Sequence, residues 1–125
     1  MSFLGFFKPN VEKLREKGNV EKLIKALDYQ KDPAVQKKAA RALGEIGDIR
    51  AADPLIRAFK GNNLKVSEAA AEALGQIGSP RAVIPLVDAL KYPYGVGVAA
   101  CEALKKIGSS KIKPIIAALE DENYQ

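Results

Sequence analysis

The chain contains no Trp, no His and no Thr, a single cysteine (Cys101) and a single methionine. Without His, it lacks the side chain that most often carries acid–base chemistry at neutral pH. With one cysteine, no disulfide can close within the chain and a cysteine-rich metal site is excluded. No run of about 18 apolar residues is present, so no transmembrane segment is predicted. The apolar start MSFLGFF is too short to span a bilayer, and no secretory signal is visible. These absences predict a soluble, cytoplasmic protein.

What remains is rich in Ala and Leu. Hydrophobic residues make up 47% of the 125 residues, while aromatics make up 6%. That balance favours closely packed helices over a sheet, and the length suffices for one domain with its own core. The net charge is +5, but Lys and Arg alternate with Glu and Asp, as in KPNVEKLREKGNVEKL. Such interleaving reads as a solvated, ion-paired helix surface.

The chain repeats internally. ALGEIG at 42–47 returns as ALGQIG at 73–78 and ALKKIG at 103–108, at spacings of 31 and then 30 residues. A second marker follows each: DPLIRAF at 53–59, IPLVDAL at 84–90 and KPIIAAL at 113–119. A weaker copy, EKLIKAL, stands at 21–27. Val35, Val66 and Val96 correspond, as do Ala39, Ala70 and Ala100, and then Ala40, Ala71 and Cys101.

Each unit reads as two helices. In the span 33–46, Val35, Ala39, Ala42 and Ile46 fall on one helical stripe, while Lys37, Arg41 and Glu45 lie on the other side. Asp32 suits a cap, Pro33 a first turn, and Gly47 a left-handed helix end. Further helices are predicted at about 50–60, 64–77, 80–90, 94–107 and 111–120. Pro54, Pro85 and Pro114 would each sit about five residues into a helix and are expected to kink it. Gly95 and Gly97, at about 1 kcal/mol each relative to Ala, predict a ragged start for the helix that contains them. No unit can bury its apolar side alone, so the units are expected to stack into one continuous core.

The ALGxIG marker, the proline-aliphatic helix after it and the period near 31 resemble short HEAT-like repeats of the phycobilisome lyase type. The resemblance covers about residues 19–125. It implies an all-α fold, a right-handed α/α superhelix of helix–turn–helix units. In that family a Val-Arg pair usually opens the second helix, with an Asp three residues before the Val. Here Gln36, Ser67 and Gly97 follow the valines, and the Asp survives only as Asp32.

Residues 1–18 read as an apolar segment plus a capping helix with Asn10 at its start. Phe3, Leu4, Phe6 and Phe7 would cover the first repeat or dock on a partner or membrane surface. At the other end, Tyr124 aligns with Tyr94 and Leu64, so the helix at about 111–120 would lack its second helix. Its Ile112, Ile115, Ile116 and Leu119 predict end-to-end self-association or a longer array.

The resemblance implies that second helices line the concave face, where polar positions escape packing constraints. Those positions are Ala34, Lys37, Lys38, Arg41 and Glu45 in the first unit. They are Lys65, Glu68, Ala69, Glu72 and Gln76 in the second, and Tyr94, Val98, Ala99, Glu102 and Lys106 in the third. The chemistry therefore changes from basic to acidic to partly apolar. Tyr94 and Val98 are candidate desolvated anchors, and Lys37, Lys38 and Arg41 could steer an acidic segment.

This surface predicts a non-catalytic scaffold for a protein or peptide. A nucleic-acid module using the basic first unit stays open, although Glu68, Glu72 and Glu102 interrupt the positive charge that phosphates require. An accessory subunit of a chromophore lyase stays open by resemblance alone. HEAT-like enzymes that hold iron through His-Glu pairs lend no ligands to this chain. HEAT-like DNA glycosylases rely on groove aromatics, and Trp is missing. Cys101 reads as a small residue on an apolar flank. Glu68 and Glu72 lie one turn apart, but two carboxylates fall short of a calcium or magnesium site. No phosphate loop is present, because the glycines of the GxIG marker end helices rather than begin them. No cofactor, metal or catalytic residue is predicted.

Overall fold

A computed structural model describes residues 8–92 and 95–108. Seven α-helices occupy these residues: α1 (Val11–Glu16), α2 (Val20–Ala26), α3 (Pro33–Ile46), α4 (Ala52–Phe59), α5 (Leu64–Ile77), α6 (Val83–Ala89) and α7 (Val96–Ile107). No strand occurs among the described residues. Phe3, Leu4, Phe6, Phe7, Tyr94, Tyr124 and the helix predicted at 111–120, with Ile112, Ile115, Ile116 and Leu119, lie outside them.

Local chemistry sets the helix ends. Asn10, Asn19, Asp32 and Asn63 each accept a hydrogen bond from a backbone N–H of the following first turn, satisfying donors that a helix start leaves orphaned. Pro33 is the first residue of α3, as its fixed φ favours. Gly47 and Gly78 close α3 and α5 at φ 76° and 74°, where a Cβ would be strained.

The prolines behave differently from the sequence reading. Short 3-10 turns at Ile49–Ala51 and Pro80–Ala82 lead into α4 and α6, with Asp48 and Ser79 as their caps. Pro54 and Pro85 are therefore the third residues of their α-helices. A first-turn residue has no intrahelical N–H bond to lose. The repeated proline marks the seam between 3-10 turn and α-helix, not a break inside an α-helix.

The helices form two layers. α3 packs against α5 and α5 against α7, side by side, while α2, α4 and α6 each lie on the second helix of their own unit. Within the other layer, α2 and α4 touch the 3-10 turn of the next unit, where Ala51 and Ala82 are fully buried. Lys8 pairs with Asp32 at the start of α3, and Arg15 lies 3.6 Å from Glu45 near its end. α1 thus runs parallel to α3 and extends the second-helix layer by one short member.

Small residues make the seams of that layer. A Cβ on Gly44 would stand 2.8 Å from the Ala73 Cα, and one on Gly75 would stand 2.9 Å from the Ala103 Cα. Only glycine permits backbones this close. Ala40 and Ala71, one turn earlier on the same stripes, are fully buried. Leu23, Leu43, Leu55, Leu74, Leu86 and Ile107 fill the space between layers with no exposed surface. Each such burial contributes roughly 1.5–3 kcal/mol.

One expectation needs correction. Cys101, equivalent to Ala40 and Ala71, is exposed. Its stripe on α7 continues to Lys105, where the earlier units have Gly44 and Gly75, and it faces away from α5. Among the described residues no further second helix packs on that side. The glycines at the start of α7 also have a specific role. Gly95 adopts φ 51°, and Gly97 is buried so tightly against the Tyr92 carbonyl that a Cβ would collide with it. In the first unit the same place holds Gln36, whose Nε2 donates to the Leu27 carbonyl at 2.6 Å. In the second it holds buried Ser67. The residue after the valine therefore meets the end of the preceding first helix, where the family's arginine would stand.

Candidate functional site

Because the second helices stack side by side at a 31- and 30-residue offset, equivalent positions form rows across the layer. One row is Lys37, Glu68 and Val98, the next is Arg41, Glu72 and Glu102, and a third is Glu45, Gln76 and Lys106. Arg41, Glu72, Glu102, Gln76 and Lys106 are exposed, as are Ala34, Lys38 and Lys65. Lys37 and Glu68 are half-buried. Val98 is 52% exposed, whereas Val35 and Val66 of the same layer are buried. Tyr94, the other expected anchor, lies outside the described residues.

One position predicted for this surface is not on it: Ala69 is 2% exposed, while Ala99 is half-buried like Lys37 and Glu68. Lys38, in the same register on α3 as Ala69, is exposed. The rows therefore hold charged side chains separated by small, packed ones.

Ion pairs already engage part of the charge. Glu68 lies 3.7 Å from Lys65, and Glu45 is shared with Arg15 of α1. Two carboxylates whose protonation the fold alters, Asp32 and Asp48, lie at helix caps away from these rows. The Lys8 ammonium, helped by the Ala34 N–H, holds the Asp32 carboxyl below the ordinary value. The Arg50 guanidinium, at 2.8 Å, and then the Arg50 N–H do the same for Asp48. Among the described residues no group of three His, Cys, Asp or Glu side chains is placed to hold a metal ion. None of their helices is long and apolar enough to cross a membrane.

The structure adds two grooves that sequence reasoning missed. Both lie along the edge where first helices turn into second helices. The first, of about 420 Å³, is walled by polar groups including Asp28, Gln36, Arg57, Asn62 and Asn63. The second, of about 700 Å³, is walled by Leu64, Pro85, Tyr92 and Val96, with Lys60, Lys65, Glu68 and Asp88 around them. The available signal was Leu64, an apolar first-turn residue outside the buried stripe of α5.

A family model for HEAT repeats matches residues 20–97, which include α2 to α6 and the start of α7. No curated protein matches the chain. HEAT repeats generally serve as protein-interaction scaffolds and are typically non-catalytic. The matched span, the paired helices and the small-residue seams agree, and the chain belongs to the HEAT repeat family.

Proposed function

We propose that this protein is a non-catalytic scaffold that binds a protein or peptide across the exposed face of α3, α5 and α7. The supporting observation is the set of rows: exposed side chains held in register over a seam of Ala and Gly. Packing explains the seam but not the identity of the exposed residues. Lys37, Lys38 and Arg41 face one end, Glu68 and Glu72 the middle, and Val98, Glu102 and Lys106 the other. Such a surface suits a partner whose own charge runs from acidic to basic, since complementary charges steer encounter and fix register.

A nucleic acid would need an unbroken positive track, and the Arg41–Glu72–Glu102 row reverses sign after its first member. The test is affinity capture with identification of bound proteins. It compares the native chain with Lys38→Glu/Arg41→Glu, with Glu72→Lys/Glu102→Lys, and with Asp53→Ala on the opposite layer as control. The two face variants should lose the same partners while the control keeps them. Retention of every partner by both face variants sinks the assignment, as does tight, steeply salt-dependent binding to duplex DNA. End-to-end self-association through Ile112, Ile115, Ile116 and Leu119 belongs to the same reading. Light scattering that finds a strict monomer at high concentration would remove it.

A further inference from the structure

We propose that the second groove, between the α4–α5 turn and the α6–α7 edge, docks an extended peptide segment carrying apolar side chains next to an acidic one. This goes beyond the binding face above: the groove opens on the turn edge and, although it shares Lys65 and Glu68 with that face, it does not involve Arg41, Glu72 or Glu102.

An internal comparison carries the argument. The first groove has the same place in the repeat one unit earlier, and beside Leu27, Pro33, Ala58 and Val66 its walls are mostly polar. The fold therefore does not require so apolar a wall there. In the second groove Leu64 is 69% exposed and Tyr92 53% exposed, yet both face the same trough with Pro85 and Val96. Leu64 opens α5 where Pro33 opens α3. A leucine left in water at a position that packing does not use is a residue available to a ligand. The volume, about 700 Å³, lies within the range of ligand-binding clefts. The trough is open along the turn edge rather than enclosed, which suits a chain lying in it better than a small molecule that must be surrounded.

Charge selects the segment. Around the groove Glu68 pairs with Lys65 at 3.7 Å and Asp88 with Lys91 at 3.6 Å. Lys60 has no carboxylate at ion-pair distance among the described residues, so the rim keeps one positive charge uncompensated. An acidic side chain beside the apolar anchors would meet it, at the edge of a desolvated patch where screening is weaker than in open water.

The test is fluorescence anisotropy of a labelled synthetic peptide with two glutamates followed by leucine, serine and phenylalanine. It is compared with versions in which lysines replace the glutamates or serines replace the apolar residues. Both altered peptides should bind about tenfold or more weakly than the parent, as should the parent peptide to Leu64→Ser/Tyr92→Ser. Lys60→Gln should weaken the parent peptide several-fold and reduce its salt dependence, and Arg41→Ala/Glu72→Ala should leave binding unchanged. Because Lys60, Leu64 and Tyr92 are exposed, these variants should keep the native helical circular dichroism. A photo-crosslinker on the peptide should label residues 60–68 or 85–92. No binding at millimolar peptide, equal binding of the acidic and lysine peptides, or crosslinks confined to α3 would overturn the proposal. Loss of binding in Arg41→Ala/Glu72→Ala alone would also overturn it, while supporting the face of the second helices.

Discussion

The first two units and the third share one template on the side that faces back along the stack and differ on the side that faces forward. Ala100 and Ala103 of α7 are as buried as Ala70 and Ala73 of α5. Yet Cys101 and Lys105 are exposed where Ala71 and Gly75 are buried. The exposed large apolar residues Ile84, Val87, Leu90, Tyr92 and Val98 all belong to the third unit, against Ile49 and Leu64 before it. Packing constraint in a stacked array is directional. A helix must offer small, apolar side chains only to a layer that presses on it.

The widest gap is expected within α6 itself. Leu86→Ala should destabilise by roughly 2–5 kcal/mol in urea denaturation, because it empties a fully buried site. Ile84→Ser, at a position 80% exposed, should stay within about 0.5 kcal/mol. Similar losses at both positions would break the two-sided picture of the third unit.

Between units, the paired positions Ala71 and Cys101 sharpen the comparison. Ala71→Val adds volume to a closed seam and should cost about 1–3 kcal/mol, whereas Cys101→Val should change stability by less than about 0.5 kcal/mol. Equal costs would mean that another layer presses on α7 in solution. A smaller contrast concerns helix starts. Asn63 caps α5 through its side chain, while Gly95, the residue before α7, offers no side-chain cap. Asn63→Ala should therefore cost about 1 kcal/mol, read as a lower thermal midpoint.

The smallest effect is acid sensitivity, and it should be local. Asp32 caps α3 and Asp48 caps the 3-10 turn that follows it, and the caps in the same places one repeat later are Asn63 and Ser79. Folding lowers both carboxyl pKa values, so the native state binds fewer protons than the unfolded chain in acid. Their stabilisation is complete above about pH 4 and fades as pH falls through the folded values. Amide exchange below that pH should rise earlier in α3 than in α5. Asp32→Asn should flatten the difference, and 1 M salt should shrink it.

Several features were legible because their causes are local. Asp32, Pro33 and Gly47 bound α3 as read, since cap hydrogen bonds and left-handed glycine involve neighbouring residues. The α4 boundary was missed because a 3-10 lead-in and an α-helix share one apolar pattern. The alignment of Lys37, Arg41 and their counterparts in rows followed from the repeat offset, whereas their expected place on a binding face came from the family resemblance. The second groove was not legible, because Leu64 and Tyr92 are far apart in sequence and meet only when α4–α5 and α6–α7 stack.

By itself the sequence determined the period, the helices, their caps and the apolar stripe that forces stacking, because backbone geometry and side-chain spacing act within one or two turns. The tertiary structure alone decided which equivalent positions are covered. Ala40 and Cys101 occupy the same register, and so do Lys38 and buried Ala69. Burial is a property of the neighbouring layer, and no residue carries its neighbour in its own identity.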